Sequence, residues 1–302
     1  MASVNENGKE MYAIHDLTTR KLRGYNVAQL KWLPYFKSGW VYVGFMLVAC
    51  TVVSSSFTDN FNESGSSAII ETGHMLNSLN PQWWLSSGGY VYRRGGVATT
   101  VQGKLADNDP FRLAYAKSSP VDTDNGYHPQ NLLRLVTRAK FKNFAQEVFF
   151  KIDNVNISAS PNRNQSNGIL FFHRYQDADN LYYAGIRVDG CAVVKKKING
   201  KYYLLKSVPV YQGSYNRDTE PNLLPVNRWI GIRTEIADKA DGNAEIVLYL
   251  NDEKLGSGWI KVLQVEDAGF EAVHITNSGF AGIRSDFMDV SFDNYVATEN
   301  RN

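Results

Sequence analysis

The chain has 302 residues, of which 43% are apolar, and its formal net charge is only +2. This length supplies enough apolar residues for a sizeable core, and so small a charge argues against the clustered basic surface that binds nucleic acid. Two cysteines, Cys50 and Cys191, are too few for a disulfide framework and form no CxxC metal or redox motif.

The N-terminal 37 residues form a polar tail. Between positions 17 and 37 it carries five basic residues and no acidic one. Protein interfaces are enriched in aromatic residues and arginine, and tryptophan and tyrosine are also favoured at the membrane surface. The residues that we predict to dock on a partner protein are Arg20, Arg23, Trp32, Tyr35 and Phe36.

An uncharged run of 21 residues follows at positions 38–58. As a helix it would be about 31 Å long, which is enough to cross the hydrocarbon core of a bilayer. We therefore predict a transmembrane signal-anchor helix at residues 38–56. The basic flank precedes the run, so residues 1–37 should be cytoplasmic and residues 57–302 periplasmic or extracellular.

Two other interpretations of this run stay open. The sequence LVAC at positions 47–50 is similar to the lipobox of bacterial lipoproteins, in which Cys50 would carry lipid. The basic segment before it is longer than a cleaved signal normally has, which favours the uncleaved anchor in the cell or inner membrane. The run could also be a buried helix.

Beyond residue 57 the sequence is typical of short strands and turns. The clearest segment is 168–205, where four apolar runs are separated by DADN, DG and NG. Asp-Gly and Asn-Gly are strong signals for two-residue hairpins, so this segment predicts a four-stranded antiparallel meander.

The other segments between residues 57 and 298 are predicted to belong to the same single domain. It shows no repeat, no boundary and no helical period longer than a turn or two. About fourteen strands with closely spaced turns predict an all-β fold, a two-sheet antiparallel sandwich. Its first and last strands, at 57–61 and 290–295, should pair.

Five segments resemble the concanavalin A-like lectin/glucanase superfamily in its laminin G-like branch. They are FTDNF at 57–61, WIGIR at 229–233, VLYLN at 247–251, GFAGIR at 279–284 and MDVSFDNY at 288–295. The resemblance implies a jelly roll with one concave sheet over residues 57–298. Its members include lectins, hydrolases, lyases and scaffold domains, so it does not select a function.

Candidate ligand-binding residues come from the meander. If alternating residues of its four strands share one face, a groove would combine histidine, tyrosine, arginine and lysine, which suits an acidic glycan. The candidates are His173, Tyr175, Tyr183, Arg187, Lys195, Lys197 and Tyr203. The alternative is a polar sheet face without a ligand.

No catalytic motif accompanies these residues. Retaining glucanases of the superfamily that this sequence resembles carry two catalytic acids in an ExDxxE motif, and this sequence lacks that motif. Lyase chemistry, with Tyr or His removing a proton and Arg or Lys neutralising a uronate, stays an alternative.

We expect no cofactor beyond a structural Ca²⁺. The resemblance implies that ion near the paired first and last strands, where Asp59, Asp289 and Asp293 would supply oxygen ligands. Asp293 could equally cap a strand end.

The function that these observations favour is a non-catalytic, membrane-anchored scaffold. It would be an accessory subunit whose jelly-roll domain docks on integral membrane proteins, with membrane lipid as a further partner. A lectin-like surface protein is the second reading, and a polysaccharide lyase or glycoside hydrolase acting on an acidic glycan is the third.

Overall fold

The computed structural model describes residues 56–62 and 67–300. These residues belong to one compact unit. The predicted tail, and all of the predicted anchor except Ser56, lie outside them. No helix within the described ranges has the length and apolar character needed to cross a membrane.

The described residues form an all-β sandwich with one α-helix, α1 (Pro110–Ser118). In chain order the strands are β1 (Ser56–Asp59), β2 (Ser67–Ile70), β3 (Trp83–Ser87), β4 (Tyr90–Arg94), β5 (Val97–Thr100), β6 (Leu132–Phe141), β7 (Phe144–Val155), β8 (Gly168–Asp177), β9 (Asn180–Arg187), β10 (Cys191–Ile198), β11 (Lys201–Pro209), β12 (Ile230–Asp238), β13 (Ala244–Asn251), β14 (Ile260–Asp267), β15 (Gly279–Asp286) and β16 (Met288–Glu299).

The strands make two antiparallel sheets. Within the described part of the chain, a nine-stranded sheet has the order β14-β13-β12-β7-β16-β5-β4-β2, with β1 also pairing with β16. The seven-stranded sheet has the order β11-β10-β9-β8-β15-β6-β3. Asp59 lies opposite Tyr295, which confirms the predicted pairing of the first and last strands.

The predicted meander is confirmed as β8 to β11. At the Asn199–Gly200 turn both residues have positive φ, 49° and 81°, as a type I′ hairpin requires. At the preceding hairpin only Gly190 has a positive φ. A Cβ on Gly190 would lie 2.1 Å from the carbonyl oxygen of Tyr211, so this turn also needs glycine.

The main core lies between the two sheets. Large side chains from both sheets meet there with no solvent exposure, among them Trp83, Phe150, Phe171, Tyr182 and Tyr295. A smaller apolar cluster covers the other side of the seven-stranded sheet and includes Phe172, Tyr175 and Tyr183. This sheet therefore has apolar side chains on both faces, and we call the face turned away from the core its outer face.

Helix α1 corrects the expectation that no helical segment longer than a turn or two follows residue 58. Its nine residues make about two and a half turns. Asp109 caps the helix by accepting hydrogen bonds from the backbone N–H groups of Phe111 and Arg112, and Pro110 stands at its first position. Only Tyr115 of the helix is buried, so the sequence offers capping signals without an apolar period.

A β-bulge at Arg174 divides β8 into two parts. Its φ is 48°, and the pairing register with the neighbouring strands shifts at this position. Its fully buried guanidinium donates to the carbonyl oxygens of Lys142 (2.9 Å) and Ile275 (2.6 Å). It also donates to Asn143 (2.9 Å) and to Asp238 (2.6 Å), a residue of the nine-stranded sheet. The bulge thus ties the two sheets together at one end.

We predict that Arg174→Met lowers the free energy of unfolding by about 3–5 kcal/mol, because it removes a fully buried cation, its ion pair with the partly exposed Asp238 and the donors to two carbonyl oxygens. Lys142→Met is the matched control. Lys142 contacts the same Asp238 at 3.1 Å, but its side chain is 53% exposed, so the cost should be below about 1 kcal/mol. Urea unfolding followed by tryptophan fluorescence measures both, and equal losses would contradict a special role for the bulge.

Candidate functional site

The outer face of the seven-stranded sheet carries five of the seven predicted ligand-binding residues. They are Tyr175, Tyr183, Arg187, Lys195 and Lys197. Tyr175 and Tyr183 are almost fully buried in the outer-face apolar cluster. Lys197 hydrogen-bonds to Asp179 and to the carbonyl oxygen of Ala178, both at 2.9 Å.

His173 does not belong to this face, which corrects the prediction. It shares the core-facing side of β8 with Phe171, is fully buried, and lies 2.5 Å from the hydroxyl of Thr234 in the opposite sheet. The prediction placed His173 and Tyr175 on one face because they are two residues apart. The extra residue Arg174 breaks that alternation and turns Tyr175 outward.

Tyr203 was also predicted wrongly. The two-residue turn fixes the register of β10 and β11, so Tyr203 lies opposite Lys196, whose side chain is buried against Asp267. Tyr202 lies opposite Lys197 instead, on the outer face, and the residue is 48% exposed. Counting outward from the Asn-Gly turn would have identified it.

A groove of about 570 Å³ opens on this face. Arg187 and Lys195 line it, whereas Tyr175, Tyr183 and Lys197 do not. Its other lining residues come from three strands, from the loops before β6 and β8, and from the turn between β15 and β16, and were not predicted: Asp122, Leu132, Arg134, Asn162, Asn164, Ser166, Asn167, Tyr202, Leu204, Arg284, Asp286 and Phe287. Arg134 and Arg284 stand between core-facing residues of their strands, and that alternation is the signal that could have revealed them.

One wall of the groove is fixed by hydrogen bonds between two loops. Asp122 accepts from the hydroxyl of Ser160 and from the amide of Asn162 (3.0 Å). Two residues along the chain, Asp124 accepts from the hydroxyl of Ser158 (2.7 Å). The side-chain amides at this wall are therefore held in place before any ligand arrives.

The floor of the groove is basic. Arg284 pairs with Asp286, and its Nε lies 2.9 and 2.8 Å from the two carboxylate oxygens. Lys195 Nζ lies 5.2 Å from the ring centroid of Tyr183 and 5.0 Å from that of Tyr202. Burial and the neighbouring charge of Arg284 lower the pKa of Lys195 to about 8.

The two tyrosines beside Lys195 differ in acidity. Burial raises the pKa of Tyr183 to about 12. Burial also acts to raise the pKa of Tyr202, but Arg284, the hydrogen bond with Tyr183 and the charge of Lys197 outweigh it and lower that pKa. Tyr202 is thus the more acidic phenol of the pair.

A chain of buried polar groups crosses the core between the two sheets. Tyr295 donates to Gln146 (2.8 Å), and the amide of Gln146 lies 3.3 Å from His173 Nε2. Burial and the nearby charge of Arg174 lower the pKa of His173 to about 3. His173 is therefore neutral near pH 7 and cannot reach a ligand in the groove.

The three predicted calcium ligands do not form one site. Asp59 accepts from Arg93 (2.9 Å) and from the indole of Trp83 (2.8 Å). Asp289 accepts from the backbone N–H of Gly103 (2.7 Å) and from the side-chain amides of Gln130 and Asn156, both at 2.8 Å.

The register separates these carboxylates along β16. Asp59 lies opposite Tyr295, which is six residues, or about 20 Å, from Asp289. Asp293 lies opposite Phe149, and burial raises its pKa. No cluster of three His, Cys, Asp or Glu side chains suited to a metal occurs among the described residues.

The predicted docking residues of the tail, from Arg20 to Phe36, lie outside the described residues, as does Cys50. Their roles stay predictions. Cys191 is a free, half-buried thiol.

No protein-family model and no curated protein matches this chain. Solved structures do show similarity. A carbohydrate-binding module from Bacillus subtilis has 16% sequence identity and a TM-score of 0.39, and the match covers 54% of this chain and 80% of that one. The GH43 protein BlXynB from Bacillus licheniformis, as a mutant, has 14% identity and a TM-score of 0.44, with coverage of 80% and 39%.

A β-glucanase from Bacillus licheniformis has 12% identity and a TM-score of 0.40, with coverage of 82% of this chain and 98% of that one. All three TM-scores are below 0.5, so these similarities carry no argument about this chain.

We predict that His173→Gln weakens the pH dependence of stability in acid. The folded state keeps His173 neutral down to about pH 3. Between that pH and the ordinary histidine pKa of about 6.5, the imidazole binds a proton in the unfolded state but not in the folded state. The stabilisation is therefore present above about pH 6.5 and is lost as the pH falls toward 3. The wild-type slope should exceed that of the variant by up to about 1.4 kcal/mol per pH unit. Identical slopes in urea unfolding would refute the buried neutral histidine.

We also predict that the Lys195 ammonium titrates with a midpoint near pH 8. Carbon-13 NMR of labelled lysine side chains, with Lys195 assigned by its loss in Lys195→Arg, measures this midpoint. Titration of Lys195 at the ordinary lysine value of about 10.4 would show that the groove does not desolvate it.

Proposed function

We propose that this domain binds a carbohydrate chain in the outer-face groove without cleaving it. The observation that carries the proposal is the partly exposed ring of Tyr202 on the floor of a groove of about 570 Å³. An aromatic face packs against the C–H face of a sugar, and this volume is typical of ligand sites.

The walls supply the polar part of carbohydrate recognition. Asn162, Asn164 and Ser166 line the groove with amide and hydroxyl groups, which both donate and accept hydrogen bonds. Sugar hydroxyls need such dual partners. Hydrogen bonds from the loop before β6 hold part of this wall in place, which reduces the ordering cost of binding.

Binding without hydrolysis is supported by the two acids of the groove. Glycosidases use two carboxyl groups that flank the scissile bond, one of them protonated. Here Asp286 is paired with Arg284, and Asp122 is bonded to Ser160 and Asn162. Both carboxylates are thus engaged in holding the site together.

A second candidate is β-elimination on a uronate chain, favoured by the lowered pKa of Tyr202. The Tyr202 phenolate would take the proton at C5, a C4–C5 double bond would form, and the C4–oxygen bond would break with its electrons on the leaving oxygen. That oxygen would then take up a proton. Arg284 and Lys195 would neutralise the uronate carboxylate.

We infer from the sequence alone that the domain is displayed on a single-pass anchor and docks on partner membrane proteins. Support for this tether is the basic flank that precedes the uncharged run at 38–58. The groove itself does not depend on it.

The test is retention of the protein on neutral and acidic polysaccharides in affinity gel electrophoresis. Tyr202→Ala should weaken binding about tenfold, because it removes the aromatic contact. Tyr249→Ala is the control, since Tyr249 lies on the nine-stranded sheet beside Arg233. Retention by no polysaccharide, or equal losses in the two variants, would overturn the proposal.

The same polysaccharides test for cleavage. We expect neither new reducing ends nor the ultraviolet absorbance of unsaturated sugars, and no turnover of neutral β-glucans. Unsaturated products that disappear in Tyr202→Phe would establish the elimination reaction instead.

A further inference from the structure

The cations of the groove are not balanced by its acids. Four cationic side chains line it against two carboxylates. Arg187 pairs with Asp189 and Arg284 with Asp286. Among the described residues, Lys195 and Arg134 have no carboxylate within ion-pair distance, and Arg134 donates only to the hydroxyl of Ser87 and the carbonyl oxygen of Leu132.

Lys195 is the unusual member of this set. Its ammonium is half-buried and lies near the rings of Tyr183 and Tyr202, without a hydrogen-bond acceptor in the described residues. Aromatic faces compensate part of the cost of removing a cation from water, but they leave its charge unneutralised. A structural lysine would be expected to have an acid beside it, as the neighbouring Lys196 has in Asp267 (2.8 Å).

Arg284 has a hydrogen-bond donor that is not used within the described residues. Its Nε is used by Asp286, whereas its buried Nη1 has no hydrogen-bond partner in the described part of the chain. Its guanidinium carbon lies 5.2 Å from the centroid of the Tyr183 ring, the same ring that Lys195 approaches. The two cations therefore share one aromatic support.

We propose that the groove recognises an anionic group on the glycan, a carboxylate or a sulfate ester, which lies against Lys195 and Arg284. This inference rests on the proposed function and specifies its ligand class. Charge-assisted hydrogen bonds would supply the missing counter-charge, and Tyr202 would pack against the sugar ring that bears the anionic group.

The test compares polysaccharides of one backbone with and without charge, by isothermal titration calorimetry on the full-length protein. Polygalacturonate is compared with its fully methyl-esterified form, and dextran sulfate with dextran. The first pair isolates a carboxylate and the second a sulfate. We expect the charged member of at least one pair to bind tenfold or more tightly than its neutral partner.

Lys195→Met and Lys206→Met separate the site from general attraction to a polyanion. Each removes one positive charge, but Lys206 is exposed on β11 and donates to the carbonyl oxygen of Gln264, outside the groove. Lys195→Met should lose about tenfold in affinity for the charged polymer, and Lys206→Met less than twofold. Methionine keeps the length of the side chain without its charge, so thermal unfolding of Lys195→Met should occur at or above the wild-type temperature.

The outcomes are distinct. If charged and neutral polymers bind equally well and Tyr202→Ala weakens both, the anionic ligand is overturned and carbohydrate binding is retained. Equal losses in the two lysine variants would overturn Lys195 as the contact. If none of the four polymers binds, the anionic ligand is overturned. If, in addition, no polysaccharide retains the protein in affinity gel electrophoresis, the proposed function is overturned as well.

Discussion

The buried guanidinium of Arg174 is the constraint on which the arrangement of the domain depends. It makes an extra residue possible inside β8, since its three nitrogens donate to two carbonyl oxygens and to the side chains of Asn143 and Asp238. The bulge leaves His173 in the core and turns Tyr175 to the outer face. An unbroken strand would place both on one side, which would put either a phenol in the core or an imidazole against the outer-face cluster.

Two neighbouring lysines of β10 differ in how their charge is compensated. On the core side Lys196 is neutralised by Asp267, beside the Tyr182 hydroxyl. On the outer side Lys195 is desolvated, and no carboxylate of the described residues lies within ion-pair distance of it. A charge that is partly removed from water and left unpaired is costly, and such a cost is typical of binding sites. This contrast is the physical basis for assigning the groove, and not the core network, to ligand binding.

Local chemistry in the sequence was enough to predict the meander, because the Asn199–Gly200 turn and the alternation of apolar residues specify strands and register together. The site was only partly predictable. Lys195, Lys196 and Lys197 are consecutive, yet one lines the groove, one is buried with Asp267 and one pairs with Asp179. Their alternation was readable, but Asp267 lies 71 positions from Lys196, and Asp179 lies in a turn. Alternation also marks Arg284, whereas no periodicity marks the amide-bearing wall.

The most direct measurement is a map of backbone amide shifts by NMR as a trigalacturonate is added to the protein. Binding in the groove predicts changes that concentrate at Arg187, Lys195, Tyr202 and Arg284, with smaller changes in the loop at 160–167. The outer face of the nine-stranded sheet, around Arg233, should stay unchanged. Chemical-shift changes that concentrate around Arg233, with none at the groove residues, would contradict the assignment of the binding site.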